Sequence, residues 1–386
     1  MRVMGIDPGT RSFDVVLLED GVVRSEYSFD TLSIASDPTP LLDVVRLMDV
    51  DVIVAPSGYG VPVTWGSEVL DARRFALELL LLTDPLDIEQ YLEEPGVQVY
   101  RALAKVVEEL IKTSPEKTLF IPSVVLLPTV PWYRKINKVD MGTADKLAAT
   151  VLAVHQVSVR ESLDYGDVNI VVVEMGYGYT GVVAVRNGVV VDGIGGTSAS
   201  IGPMTSGALD LEVVVGARVW RRWSILHGGL KELAGTLDPL RLLERAKAGD
   251  SLAGDLLELY VEAIVKDVSR ALVTTKADMV VVTGRNARIQ EIKRMMEEKL
   301  GIEVSQVDGL KGARDVKEAA QGYAMIGDGL KGGIFKELVE HMKIAESCGT
   351  VTDYIVHPDA LKFKERVRRA YEQLVVNPKL CSKNLP

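Results

Sequence analysis

Three short segments each close an apolar run with residues that can hold phosphate. The first is Gly5-Ile6-Asp7-Pro8-Gly9-Thr10. Its glycines keep the turn free of side chains, so backbone N–H groups can face a phosphate. The Thr10 hydroxyl can donate to a phosphoryl oxygen, and Asp7, at the end of the run, can hold a hydrated Mg²⁺. The second segment, Glu174-Met175-Gly176-Tyr177-Gly178-Tyr179-Thr180, repeats the layout with an acid, glycines in the turn and a hydroxyl on the next strand. The third, Val281-Val282-Thr283-Gly284-Arg285-Asn286, is a strand running into a glycine turn and a helix. There a nucleotide can approach the backbone closely, and the helix N-terminus favours an anionic or polar group. Taken alone, each segment reads equally well as an ordinary turn. Two acid–glycine–hydroxyl turns at equivalent places form a more specific pattern, that of two phosphate clamps facing one another across a cleft.

Other residues carry weaker signals. Gly142-Thr143-Ala144-Asp145-Lys146 opens a helical run, and an acid in the first turn is favoured by the helix dipole. Arg11, Arg73, Arg74 and Arg134 can each clamp a carboxylate through two N–H groups, or stand as surface charges. Trp132-Tyr133, beside Pro131, can line a small acyl pocket or join the core. His227 precedes Gly228-Gly229 and reads as loop, and the basic run 363–369 as a solvated helix face.

The elements that must position these groups follow from periodicity. Arg2–Ile6, Phe13–Leu18 and Val22–Phe29 read as three strands in sequence, the last two joined by Glu19-Asp20-Gly21. A helical spacing at Pro40–Met48 precedes a buried strand at Asp51–Ala55, and further helices are expected at Val97–Ile111 and Thr143–Gln156, with a strand at Phe120–Leu127. The order then repeats: Val168–Glu174, Thr180–Val185 and Val189–Ile194 are strands, with Asn187-Gly188 as a hairpin turn. Residues 195–210 are loop, and helical patterns follow at 229–247 and 252–275. Met279–Val282 and Ile302–Val307 are strands, and Asn286–Leu300 and Asp315–Met325 are helices. Two three-strand systems about 165 residues apart are too widely spaced for a solenoid and indicate a duplicated domain.

Composition narrows the function classes. The 386 residues suggest two domains. Asp+Glu number 54 against 44 Lys+Arg, a net charge of −10 that argues against nonspecific binding to nucleic acid or anionic membranes. No apolar run is long enough for a membrane span, and a strand-like start that reaches an acid by Asp7 is not expected of a signal peptide. The two cysteines, Cys348 and Cys381, make neither a disulfide framework nor a four-ligand zinc site, in keeping with a reducing cytoplasm. Four scattered histidines argue against a His-rich metal site.

Over roughly residues 1–330 these parts resemble the acetate and sugar kinase/heat-shock chaperone/actin superfamily. Asp7–Thr10 is similar to its first phosphate motif, Glu174–Thr180 to its second and Thr283–Asn286 to its adenosine motif. The helices Thr143–Gln156 and Asp315–Met325 resemble its connecting helices, with Ala319-Ala320-Gln321-Gly322 supplying small residues for their crossing. A narrower likeness, at 170–207, is to butyrate kinases, in which a Gly-Pro-aromatic-Ser loop lies near the substrate; here the loop is Ile201-Gly202-Pro203-Met204-Thr205-Ser206-Gly207. The whole chain is similar to an archaeal family regarded as predicted butyrate kinases. It departs from butyrate kinases in three places. Glu174–Gly178 replaces His-Leu-Gly-Gly-Gly, Asp7–Thr10 replaces Asn-Pro-Gly-Ser, and Gly284-Arg285 replaces the usual Gly-Gly, so Arg285 either crowds the base or stacks on it. Gly142–Lys146 resembles the Gly-Ala-Asp-Arg helix start of type III pantothenate kinases, where the Asp is base toward a substrate hydroxyl.

The resemblance implies an α/β protein of two actin-like, ribonuclease-H-like lobes, each a mixed five-stranded sheet flanked by helices. The lobes are expected at 1–157 and 158–330, with a helical extension at 331–386 that can pack back on the first. It implies ATP and Mg²⁺ in the cleft, the metal between Asp7 and Glu174, and a catalytic set of Asp7, Asp145 and Glu174. Nucleotide contacts are expected from Gly9, Thr10, Gly176, Gly178, Thr180, Thr283, Gly284, Asn286 and Gly322, and substrate contacts from Pro203, Thr205 and Ser206. The expected activity is phosphoryl transfer from ATP to a small carboxylic acid such as butyrate, in the cytoplasm, with no nucleic-acid or membrane partner and a homodimer left open. The alternatives are a kinase of a small hydroxyl compound with Asp145 as base, and an ATP-driven switch or activator. The switch branch carries a cysteine pair between its lobes, whereas Cys348 and Cys381 fall outside the core range. The carbamoyl-transfer branch needs a His-x-x-x-His that the chain lacks.

Overall fold

The computed structural model describes residues 1–86 and 95–382. β-Branched runs build two sheets of matching topology. The first contains β1 (Arg2–Pro8), β2 (Ser12–Glu19), β3 (Val22–Asp30), β4 (Val52–Val54), β5 (Thr64–Trp65) and β6 (Thr118–Phe120), in the order β3-β2-β1-β4-β6-β5. The second contains β7 (Ile170–Met175), β8 (Thr180–Arg186), β9 (Val189–Ile194), β10 (Met279–Thr283) and β11 (Val304–Gln306), in the order β11-β10-β7-β8-β9. In each, a central strand pairs antiparallel with the next strand in sequence and parallel with one reached through a long crossover. The two sheets are thus the duplicated unit. The first carries a sixth strand, β5, beyond the five expected. The run at Phe120–Leu127, expected as a strand, pairs only at its start; Val124–Leu126 turns into a 3₁₀ helix.

The main helices are α1 (Pro95–Thr113), α2 (Ala144–Glu161), α3 (Leu211–Ala217), α4 (Ser251–Leu272), α5 (Gln290–Leu300), α6 (Glu318–Leu330) and α7 (Leu361–Leu374). Helix α2 is buried along most of its length because its face is built of Ala, Leu and Val. It packs on α6, and α6 packs in turn on β1, β2 and β4. The range 158–330, read from sequence as the second lobe, therefore contains a helix seated on the first sheet.

Small residues permit this close approach. A methyl group on Gly322 would lie 1.9 Å from the Ala148 carbonyl of α2, and one on Gly5 would lie 2.2 Å from the Ala320 carbonyl of α6. Both are distances that only hydrogen in place of Cβ allows.

The C-terminal segment lies against the first lobe. Helix α7 buries Val367, Ala370, Tyr371 and Leu374 and leaves its basic face in solvent. The chain after it covers the β5 side of the sheet: Leu70 N donates to Leu374 O at 2.9 Å, Val376 N to Glu68 O at 2.9 Å and Lys379 Nζ to Val63 O at 2.8 Å. Covering an edge in this way blocks unwanted strand pairing. Cys348 and Cys381, which the sequence suggested would form no disulfide framework, are joined as one disulfide with Cα atoms 5.1 Å apart. A single bridge needs only that two distant residues meet, which composition does not reveal. No helix among the described residues is long and apolar enough to cross a membrane.

The crossing gives a test whose sign is decisive. In a helix free of neighbours, Gly322→Ala would stabilise the protein by about 1 kcal/mol. Against the Ala148 carbonyl it should destabilise, by about 1–3 kcal/mol or more. Urea denaturation of the full chain measures this, and a raised midpoint would show that α2 and α6 do not meet at this glycine.

Candidate active site

The sheet register brings the chemistry together at strand ends. Asp7, next to last in β1, lies opposite Asp14 of β2, and Glu174, near the end of β7, lies beside Thr283 of β10. The two glycine turns face one another, since a methyl group on Gly178 would stand 3.3 Å from Thr10 Oγ1. The N–H groups of Gly9 and Gly176 are used inside their own turns, donating to Ser12 O and Tyr179 O at 2.9 Å each. Positive charge is supplied instead by two lysines at the start of the crossing helices. Lys317 Nζ lies 3.3 Å from Asp7 Oδ2 and 3.9 Å from Asp14 Oδ2, against Gly9. Lys146 Nζ lies 2.7 Å from Asp145 Oδ2 and 3.2 Å from Glu174 Oε2. The other Asp145 oxygen accepts from the Thr143 hydroxyl.

This arrangement separates the acidities of the carboxyls. Burial pushes Asp7 up to about 7, although Lys317 opposes the shift. Burial also raises Glu174, against the pull of Lys146. Asp145 feels the same desolvation, but Lys146 and the Thr143 hydroxyl outweigh it and hold the carboxyl below its usual range. Both ammonium groups stay protonated, because the carboxylates around them overcome the cost of burial.

A cavity of about 300 Å³ opens from these groups. Gly9, Thr10, Asp145, Lys146, Glu174, Gly176, Gly178 and Lys317 line one side. The rest of the lining joins Asp140, Thr143, Thr197, His227 and Lys231 to apolar and aromatic side chains, Leu80, Leu81, Val99, Leu103, Tyr59 and Tyr100 from the first lobe and Tyr179, Met204, Ile225 and Leu226 from the second. Arg222 bridges the lobes on this side. Its guanidinium stacks over Tyr59 and Tyr100, 5.5 and 5.3 Å from the ring centres, and donates to Leu81 O at 2.8 Å and Thr83 Oγ1 at 3.2 Å. The segment it grips is irregular: Phe75–Leu80 is a π-helical turn, and Leu82 has φ of +52°. Both are costly conformations that cluster at functional sites.

The expected residues divide into those on the cavity and those that build around it. Gly9, Thr10, Asp145, Glu174, Gly176 and Gly178 line it, and Asp7 lies behind Lys317. Thr180, Thr283, Gly284, Asn286 and Gly322 are buried and line no part of it. Asn286 Nδ2 donates to Gly176 O at 2.7 Å, so it holds the second glycine turn, while Gly322 belongs to the helix crossing. Arg285 is exposed on the 3₁₀ turn that follows. Of the loop expected at the substrate, Met204 lines the wall. Pro203, Thr205 and Ser206 instead form its base, where Ser206 N donates to His227 O at 2.9 Å.

Trp132 and Tyr133, read as pocket or core, are both exposed, at 47% and 59%. Arg74 pairs with Glu78, Arg134 donates to Val191 O, and Arg11 stacks over Tyr177. The residues sequence reasoning missed are Lys146, Lys317 and Arg222. Lys146 stood beside Asp145 in a quoted motif, and Lys317 lay within the run expected as the second connecting helix, Asp315–Met325, which in the structure begins only at Glu318. Asp140 was missed as well; it ties the glycine-rich loop to the cavity by accepting from Gly142 N and from Thr197 N and Oγ1.

The family model described as "Protein of unknown function (DUF1464)" matches residues 5–357. The chain belongs to this family. No curated protein matches it. Among solved structures it is similar to a propionate kinase from Francisella tularensis subsp. tularensis SCHU S4, with 13% identity, TM-score 0.57, and 84% of this chain and 98% of that one covered. It is similar also to acetate kinase from Entamoeba histolytica, with 11% identity, TM-score 0.56, and 80% and 96% covered. A third is acetate kinase from Porphyromonas gingivalis, with 14% identity, TM-score 0.53, and 83% and 97% covered. At such identities the likeness establishes the fold, so this member of the family has the two-lobed actin-like architecture.

The raised acidity of Asp7 sets a sign for pH dependence. Between its ordinary value of 3.8 and about 7, the folded protein keeps a proton on Asp7 that the unfolded chain releases. The folded state binds more protons, so this group's contribution to stability is lost as pH rises through that window. Asp7→Asn has no proton to lose. The melting temperature of the variant, minus that of wild type, should therefore rise between pH 5 and pH 8. A flat or falling difference would show that Asp7 titrates in the ordinary carboxyl range.

Proposed function

We propose that the protein is an ATP-dependent kinase that transfers the γ-phosphoryl group to a small carboxylic acid. The observation that carries this reading is the state of Asp145, whose two oxygens are engaged by Lys146 and Thr143. A base that takes a proton from a hydroxyl works best with an acidity near the working pH. Asp145 is held below the ordinary carboxyl range, away from that requirement. A carboxylate acceptor is already ionised at neutral pH and needs no base. The cavity walls fit such an acceptor, with lysines and glycine turns at one end for phosphate and leucine, valine and tyrosine at the other for an alkyl chain. The likeness of residues 170–207 to butyrate kinases, and the acetate and propionate kinases among the solved structures of this fold, support the same reading.

The charge count supports a divalent cation. Counted as formal charges, Asp7, Asp14, Asp145 and Glu174 exceed Lys146 and Lys317 by two; burial raises Asp7 and Glu174, and a divalent cation would favour their ionised forms. All the donors are oxygens, the kind Mg²⁺ takes. Among the described residues no three such groups form a ready cage, so the ion would be held as Mg²⁺ usually is, by one or two carboxylates, waters and phosphate. Of the two carboxylates expected to hold it, Glu174 lines the cavity and Asp7 lies behind Lys317. Glu174 is held by Lys146 and pressed against Gly176 and Gly284, where added methyl groups would lie 3.2 and 2.8 Å from its oxygens. When bound, the ion would offset charge on the phosphates. The chain's own part is to hold donor and acceptor in line, with Lys146 and Lys317 stabilising the equatorial oxygens of the transferred group. One oxygen of the acceptor carboxylate bonds to the γ-phosphorus as the bond to the β-phosphate oxygen breaks, leaving ADP and an acyl phosphate. The Arg222 bridge closes the apolar side against water.

Two measurements test the reading. Calorimetry should show an ATP analogue binding in the presence of Mg²⁺; no binding at millimolar concentration would overturn both the kinase and the switch readings. Incubation with ATP and a panel of short carboxylic acids and small alcohols, with hydroxylamine as trap, should yield hydroxamates from the acids. If an alcohol is the substrate instead, no hydroxamate forms, and Asp145→Asn should lower its turnover by about 10²–10⁴-fold.

A further inference from the structure

Tyr323 brings to the floor of the cavity a hydroxyl that the fold does not use. It stands in the second turn of α6. Its Cβ lies over Gly5 of β1, where a methyl group on the glycine would come within 3.0 Å of it. Its hydroxyl lies at the other end, by the Ser57 backbone N–H, next to Gly58. Gly58 and Tyr323 both line the cavity, together with Asp145, Lys146 and Lys317. Gly5 lines no part of it, so the hydroxyl is the end of the side chain that meets the cavity.

This hydroxyl is enclosed and unpaired. Tyr323 exposes 0% of its surface, and its oxygen makes no hydrogen bond. The Ser57 N–H, Asp145 and Asp7 are polar neighbours, and none of them is in bonding geometry. Among the described residues it is the one cavity-lining hydroxyl that is buried without a partner. A buried tyrosine hydroxyl ordinarily finds a partner, because an unmade bond leaves its desolvation uncompensated. In a native fold such a group asks for a reason, and a role in the site is one.

The surroundings of the hydroxyl define what it can bind. Burial, with Asp145 and Asp7 adding to it, holds the phenol well above the usual tyrosine range. It therefore keeps its proton and can donate. Lys146 and Lys317 stay charged beside it. Two fixed cations and a neutral donor at one end of a cavity fit an oxygen anion, whether a phosphoryl group or a carboxylate. The charge on such an acceptor strengthens the hydrogen bond.

We propose that Tyr323 is a binding residue of the cavity, its hydroxyl donating to an oxygen of the anion that Lys146 and Lys317 hold. The proposal rests on the anion-binding part of the kinase reading and not on ATP. Tyr323→Phe removes the hydroxyl and keeps the ring, and two measurements on the full chain read the effect. The melting temperature without ligand should be unchanged or higher, because no internal bond is lost. Calorimetry at millimolar concentration, with Mg²⁺ present, should show wild type binding inorganic phosphate or butyrate. The variant should bind the same anion at least about tenfold more weakly. A loss confined to phosphate assigns the hydroxyl to the phosphoryl group. A loss confined to butyrate assigns it to the acceptor carboxylate, and a loss in both to a position the two anions share. Equal affinities in variant and wild type would overturn the proposal. So would a wild type that binds neither anion, or a variant with a lowered melting temperature, which would show the hydroxyl bonded within the fold. Failure of the kinase reading shows separately, as no binding of an ATP analogue by a wild type that still binds phosphate or butyrate.

Discussion

Two ammonium groups buried among carboxylates govern this molecule. Lys317 precedes α6 directly and Lys146 lies in the first turn of α2, so both cations stand at helix N-termini, where the helix dipole disfavours positive charge. Burial disfavours them further. They are tolerated because Asp7, Asp14, Asp145 and Glu174 surround them. The crossing of α2 and α6 at Ala148 and Gly322 brings the two helix starts together, two and five residues from the respective lysines. The close packing at Gly322 and the electrostatics of the cleft are therefore one constraint. Spread the helices, and the lysines leave their carboxylates unpaired in a desolvated site.

That constraint explains the chemistry the cavity can support. Lys146 links Asp145 and Glu174 and thereby weakens Asp145 as a base, while it places a cation at the second glycine turn. Lys317 does the same at the first turn through Asp7. A site that fixes two cations among its carboxylates is suited to stabilising negative charge that shifts among phosphate oxygens, which is most of what phosphoryl transfer asks of a protein. The leucines, valine and aromatic rings of the lining offer contact for a short alkyl chain.

The duplicated strand systems were legible in the sequence because local signals agreed: apolar alternation, acid at the strand end and glycine in the turn. Asp7, Thr10, Glu174 and Gly178 could be placed together on that footing. Lys146 and Lys317 could not be read as a pair, since 171 positions separate them and only the helix crossing joins them. Arg222, in a Trp-Arg-Arg-Trp run with nothing local to distinguish it, acquires its place by reaching Leu81 O in the other lobe. Gly284 and Asn286 fitted a nucleotide turn by type. Yet the Asn286 amide turns inward to hold Gly176 O, a choice set by tertiary packing and not by the turn itself. Trp132 and Tyr133 mark the limit of hydrophobicity as a guide: apolar side chains often lie on the surface.

The excursion from Thr205 to Gly228 joins these levels. Its inner arm forms the cavity wall and carries Arg222 across to the first lobe, while its outer helix stands apart from both lobes. The Thr205–Gly228 bridge fixes the stem, so Arg222 stands within a closed loop. On the first lobe Arg222 grips irregular backbone, the π-helical turn and Leu82. Arg222 is thus the side chain through which this loop meets the first lobe at the cavity.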